Sequence, residues 1–199
     1  MDRLLQLAYR LARVGTWAGG GLVILAAVLI GIDIFMRKVF SVSIGGASEL
    51  SGYVLAISTS WALAFTLLER AHIRIDSLYV LLPARLCAVL DVLGLLAMLV
   101  FASCLAWQGS FVFFQSYQYG SRALSPIATP LVYPQFLWVV GLVFFFLVIV
   151  LLLIRAIIAL ITGDVATVQR IAGSRTSQQE LDEELEELGK RAQPGEVGS

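Results

Sequence analysis

The chain has 199 residues, of which 59% are hydrophobic and only 14% are charged, and its mean hydropathy is +0.87. Soluble domains average about a quarter charged residues, so this composition is typical of a membrane protein and excludes an ordinary soluble domain. The net charge is zero and no basic patch is present, which argues against nucleic-acid binding.

The N-terminal third predicts a surface segment followed by a membrane span. Leu4, Leu7 and Leu11 recur at helical spacing within residues 1–14, which indicates an amphipathic segment at the membrane interface. The apolar run over roughly residues 15–36 is too long for a signal-peptide core, so we expect it to remain as the first span. Glycine is common in membrane helices, but small residues also let helices approach closely. The candidates for helix packing in this span are Gly15, Gly19, Ala27 and Gly31.

The second span is predicted over residues 47–68, between a Gly45-Gly46 turn and a charged cluster that begins at Glu69. Small and hydroxyl residues recur along it, which favours packing against another helix. A polar substrate path is the alternative, and the lack of any charge or amide in this set argues against it. The hydroxyl candidates are Ser51, Ser58, Thr59 and Thr66.

Two further spans follow. Residues 69–83 predict a short interfacial helix, and residues 84–114 or beyond predict a third span that is longer than a bilayer needs and therefore tilts or projects. The fourth span is predicted over residues 133–161. Residues 164–199 form a polar, acidic tail, interpreted as a solvated helix or a small protein-docking motif.

The basic residues predict the orientation. With the N-terminus inside, eleven Lys and Arg residues lie on the cytoplasmic side and three, Arg37, Lys38 and Arg122, lie outside. The positive-inside rule then places both termini in the cytoplasm. The fold class expected is an all-α membrane protein with four transmembrane helices and short interfacial helices, divided into residues 1–14, 15–163 and 164–199.

Three acidic residues lie within the predicted spans. Asp33 lies four residues before Arg37, a spacing that favours an ion pair, with a cation site as the alternative. Glu49 lies in the first turn of its helix, where a carboxylate interacts favourably with the helix dipole; a pair with Arg37 or Lys38, or a contact with a partner chain, is the alternative. Asp91 is expected to snorkel or to pair with Arg155, although an intramembrane acid is a functional candidate by default.

Reactive clusters are not apparent in the sequence. His72 is the only histidine, so a metal site or a bis-histidine haem is not expected, and a hydrogen-bonding anchor is the simpler interpretation. Cys87 and Cys104 are separated by roughly 25 Å on one helix, too far to bond. No catalytic triad or phosphate loop is present. We therefore expect a non-catalytic protein with no cofactor and no metal.

Four elements in order resemble a known family. They are Arg37-x-x-Phe40, then Gly45 with Glu49-Leu50 and Tyr53, then Ala71-His72-Ile73-Arg74-Ile75-Asp76, and finally Ser125-Pro126 to Pro134. Over roughly residues 10–165 the chain resembles the small membrane subunit, DctQ-like, of a tripartite ATP-independent periplasmic (TRAP) transporter. The acidic tail lies outside the resemblance.

The resemblance implies a multi-pass subunit of the bacterial inner membrane that is not itself the transport path. It implies two protein partners, a large membrane subunit holding the ion and substrate sites, with sodium the expected ion, and a periplasmic binding protein that delivers an organic acid. Arg37, Lys38, Glu49 and Arg122 become candidates for periplasmic partner contact. The candidates for cytoplasmic anchoring, to the large subunit or to membrane lipid, are Arg70, His72, Arg74 and Asp76. The alternative is a stand-alone four-helix membrane protein, either a channel or an anchor for another complex.

Overall fold

The computed structural model describes residues 2–70 and 83–163, without the side chains of three of them (2, 84 and 85). It contains four helices, which we number α1 (Asp2–Phe40), α2 (Ala47–Leu68), α3 (Ala84–Tyr119) and α4 (Val132–Ile161). All four are long and apolar enough to cross a membrane. For the described residues, the predicted all-helical architecture with four helices able to span a membrane is confirmed. The predictions for the connection 71–82 and for the tail 164–199 lie outside the described residues.

α1 is one continuous helix of 39 residues. At ~1.5 Å per residue it is roughly 58 Å long, about twice the thickness of the hydrocarbon core. No proline interrupts it, so the predicted surface segment and the first span share one helix without a break between residues 14 and 15. Ser41, with a φ of 55°, follows its end.

α2 has the bounds that were predicted, residues 47–68. Its 22 residues span roughly 33 Å, which matches the hydrocarbon core of a bilayer. Gly45 precedes it with a φ of 79°, a left-handed conformation that glycine adopts without steric cost. Arg70 follows its C-terminal end with a φ of 55°.

α3 and α4 form the second helical hairpin, and both lie close to their predicted positions. α3 continues to Tyr119 rather than ending near residue 114, and it stops at Gly120, whose φ is 58° and whose N–H donates to the Ser116 carbonyl. This is a left-handed helix cap of the kind glycine favours. α4 carries Pro134 in its first turn, where the missing N–H costs no helical hydrogen bond.

The helices lie side by side in the order α1, α2, α4, α3. α1 packs on α2, α2 packs on α4 and α4 packs on α3, whereas α1 touches α4 only slightly. The core follows α4, where Phe145, Val148 and Ile149 are fully buried. The outer helices expose large apolar side chains such as Trp17 and Trp107, which suits lipid or another membrane chain.

The four helices, side by side, form one layer that has two polar ends. The hairpin end consists of the loops 41–46 and 120–131, which meet each other, and of the helix turns next to these loops. The terminal end consists of the N-terminal turns of α1, residues 69–70 after α2, the start of α3 and residues 162–163 after α4.

Candidate functional site

Three of the predicted packing residues form the contact between α1 and α2. A Cβ atom placed on Gly15 would lie 2.5 Å from Cε3 of Trp61, and one on Gly19 would lie 3.0 Å from Cβ of Ser58. The Ser58 hydroxyl donates to the Gly19 carbonyl at 3.0 Å, which joins the two helices directly. Glycine at both positions therefore lets α1 approach the side chains of α2 closely.

The other five packing candidates lie away from these contacts. Ala27 is exposed, and a Cβ atom on Gly31 would meet nothing within 4 Å. The hydroxyls of Ser51, Thr59 and Thr66 donate to carbonyls of their own helix, three or four residues earlier. Their use in packing against a partner chain therefore stays a prediction.

The contact between α2 and α4 depends on two residues that the sequence interpretation did not single out. A Cβ atom on Gly141 would lie 2.4 Å from the Ser60 hydroxyl oxygen and 3.0 Å from Cδ1 of Trp61. Ser60 is fully buried. Small residues on both helices were the available signal, but periodicity alone does not say which two helices meet.

At the hairpin end, Asp33 organises the loop between α1 and α2. It is 4% exposed although it lies near the end of its helix. One carboxylate oxygen accepts hydrogen bonds from the Ile44 N–H at 2.7 Å and the Ser43 hydroxyl at 3.0 Å. The other oxygen accepts from the Arg37 guanidinium at 2.5 Å. The ion pair expected from the sequence is present, and the carboxylate additionally fixes the loop.

The two loops of the hairpin end interlock. Glu49 accepts hydrogen bonds from the hydroxyl of Tyr53 at 2.8 Å and from the hydroxyl of Ser125 in the second loop. A Cβ atom on Gly46 would lie 1.9 Å from Cδ1 of Ile127, so the second loop rests directly on the first turn. The Glu49 carboxylate is thus directed into the protein, toward Tyr53 and Ser125. Its role here is to connect the two helical hairpins.

Three basic side chains lie on the outside of this interlocked end. The Arg37 side chain is 64% exposed despite its pair with Asp33. Lys38 and Arg122 are also exposed. The Arg122 backbone pairs with Pro130, which fixes its position on the second loop. The hairpin end therefore presents cations on a backbone that is held by hydrogen bonds.

At the terminal end, the structure describes only one of the four anchoring candidates. Arg70 lines an open groove together with Arg10 of α1. Beside it, the Tyr9 hydroxyl donates to a carboxylate oxygen of Glu69 at 2.7 Å, and the Tyr9 ring packs on Phe65. His72, Arg74 and Asp76 lie outside the described residues.

Asp91 is fully buried on α3, on the same face as Ala88 and Leu95. Asp91 therefore lies on the face of α3 that packs inside the protein, and its side chain is shielded from the surroundings. Within residues 2–70 and 83–163, no three His, Cys, Asp or Glu side chains come together as a metal-binding group.

Comparison with known families decides the identity. The family model for tripartite ATP-independent periplasmic transporters, DctQ component, matches residues 26–159. The chain belongs to the DctQ family. The resemblance inferred from its motifs is thereby confirmed, and the protein is a multi-pass transporter component. No curated protein and no solved structure matched the chain.

The family match relates the quoted motifs to the geometry of this DctQ subunit. Arg37, Gly45, Glu49, Tyr53 and Ser125 all lie within the matched residues, and all belong to the hairpin end. DctQ proteins act as the small membrane component beside a large membrane component and a periplasmic binding component. The N-terminal turns of α1 precede the matched residues.

Proposed function

We propose that this DctQ subunit is a non-catalytic scaffold in a sodium-coupled importer of an organic acid. It enlarges the fixed part of the membrane complex, against which the large subunit moves its transport domain. Sodium and substrate bind to the other components. Both termini lie in the cytoplasm and the hairpin end faces the periplasm of a bacterial inner membrane.

The observation that carries this proposal is the interlocked hairpin end. Asp33 holds one loop and Glu49 joins it to the other, so the two helical hairpins are connected by hydrogen bonds where they leave the membrane. Buried polar groups that are fully engaged in hydrogen bonds favour one rigid arrangement. A scaffold needs this rigidity, because a moving transport domain requires a fixed surface beside it.

The same end supplies a docking surface for the periplasmic binding protein. Lys38, in the last turn of α1, and Arg122, on the second loop, are exposed at this end, and Arg37 lies beside Lys38. Cations at the rim of an interface mainly steer association with an acidic surface and fix orientation. Because Glu49 is directed inward, we assign it to the support of this surface rather than to direct contact.

Transport by the reconstituted three-component system tests the docking role. We expect the double variant Lys38→Glu/Arg122→Glu to need several-fold more binding protein for half-maximal uptake, because both steering charges are reversed. The effect should shrink at high salt, which screens exposed charges. Arg37 is left intact, since its pair with Asp33 supports the fold.

The matched control is Arg3→Glu/Arg13→Glu, which makes the same change in net charge at the terminal end, where both residues are exposed. Its uptake curve should follow that of the wild type. A Lys38→Glu/Arg122→Glu curve that also follows the wild type at low salt would remove the docking role.

A further inference from the structure

An open groove of about 360 Å³ lies at the terminal end, between the first turns of α1, the end of α2 and the side of α4. Its polar lining consists of Gln6, Tyr9, Arg10 and Arg70. Its apolar lining consists of Leu5, Leu68 and Leu152, one from each of the three helices. The groove therefore combines two guanidinium groups with a hydrocarbon floor.

The chemistry of this lining suits a phosphate diester that carries an apolar chain. Arginine presents a planar fork of N–H donors that matches phosphate oxygens, and a glutamine amide adds further donors. The Glu69 carboxylate, which accepts a hydrogen bond from the Tyr9 hydroxyl at 2.7 Å, is not among the residues that line the groove. The leucine side chains of the lining can contact an acyl chain, whereas a soluble anion without such a chain would not use them.

The depth of the groove in the membrane follows from α2. This helix has 22 residues and just spans a hydrocarbon core, so its last residue, Leu68, lies near the boundary with the head groups. The hydrogen bond between Tyr9 and Glu69 holds the first turns of α1 at that same level. Arg10 and Arg70 consequently lie where lipid phosphates lie, and Leu68 and Leu152 lie toward the acyl chains, whereas Leu5 lies nearer the N-terminus of α1 than Arg10 does.

The geometry points to a binding site for one anionic phospholipid in this groove. Arg10 and Arg70 bind its phosphate, Gln6 contributes to the head-group contacts, and an acyl chain lies along Leu68 and Leu152. Anionic lipids are recognised in this way by basic pockets between transmembrane helices. The site does not depend on the scaffold or docking roles, and it requires only that the four helices span a bilayer.

Native mass spectrometry of the full-length chain tests the site. The purified protein is titrated with phosphatidylglycerol and, separately, with phosphatidylcholine. We expect one phosphatidylglycerol molecule to stay bound to the wild type at concentrations where phosphatidylcholine does not. In Arg10→Gln/Arg70→Gln, phosphatidylglycerol should bind roughly tenfold more weakly, since each basic group near the surface contributes to anionic-lipid attraction.

Matched variants separate a site from general charge attraction. Arg3→Gln/Arg13→Gln removes the same two charges from exposed positions outside the groove and should bind as the wild type does. Gln6→Glu adds a carboxylate to the groove at an exposed position, whereas Arg3→Gln makes the same single change in net charge outside it. Helical circular dichroism and a single elution peak establish that each variant is folded.

If the groove variants and their charge-matched controls weaken phosphatidylglycerol binding equally, the proposed site is overturned, because general charge attraction would then explain the binding. Equal binding of the two lipids by the wild type would overturn it as well. Neither result bears on docking, which is measured separately through the dependence of uptake on the binding protein.

Discussion

The two ends of this DctQ subunit use their polar residues in opposite ways. At the hairpin end, Asp33 and Glu49 direct their carboxylates inward and hold two loops together. At the terminal end, Arg10 and Arg70 line an open groove. One end is a closed network of hydrogen bonds and the other is a surface with room for a ligand.

This difference separates structural polar groups from groups that are available for recognition. A buried carboxylate with several donors around it stabilises the fold, because removing it leaves those donors without an acceptor. Guanidinium groups that line an open groove can bind other molecules, because each arginine has five N–H donors. Variants at the two ends should therefore differ in their effect on stability, which can be measured on the purified chain.

The largest effect is expected at Asp33. Asp33→Ala removes the acceptor of the Ile44 N–H and the Ser43 hydroxyl and the partner of Arg37, so the thermal unfolding midpoint should fall by the most among these changes. Asp33→Asn keeps an acceptor for the loop and should lose less. If Asp33→Ala unfolds at the wild-type temperature, the hairpin end is not held by this network.

A smaller effect is expected at Gly45, whose φ is 79°. Gly45→Ala places a Cβ atom in a left-handed conformation and should lower the free energy of unfolding by about 1–2 kcal/mol. Gly20→Ala is the control, since Gly20 lies within α1 and a Cβ atom there meets nothing within 4 Å. Denaturant titration in mixed micelles compares the stabilities of the two variants. Equal stabilities would show that the left-handed conformation at Gly45 does not require glycine.

The smallest effect is expected at the terminal end. Tyr9→Phe removes the hydroxyl that donates to Glu69 and should cost about 0.5–1 kcal/mol, the net worth of one hydrogen bond. Tyr133→Phe, at a residue that is 72% exposed, should leave unfolding unchanged. A Tyr9→Phe loss as large as that of Asp33→Ala would show that the two ends do not differ as described.

Much of the fold was predictable because membrane helices are bounded by local signals. The Gly45-Gly46 turn and the charges after Leu68 gave the bounds of α2, and the four-residue spacing gave the pair of Asp33 with Arg37. The end of α3 was predicted only as residue 114 or beyond, and the structure places it at Tyr119. Gly120 ends the helix through its own left-handed conformation, and the apolar pattern fades before it does.

The contacts between distant segments were not predictable from the sequence. Glu49 was a candidate for pairing with Arg37, Lys38 or a partner chain, yet its hydrogen bonds go to Tyr53 and to Ser125, 76 residues away. The pairing of Ser60 with Gly141 and the groove beside Arg70 also require knowing which helices are neighbours. Spacing along one helix contains no such information.

Co-purification through an affinity tag on this chain, followed by mass spectrometry of the associated proteins, tests whether the chain is a scaffold subunit. We expect a large polytopic membrane protein in fixed stoichiometry, and uptake by that pair only when a periplasmic binding protein is added. A complex that contains only copies of this chain, and that conducts solute by itself, would contradict the scaffold role.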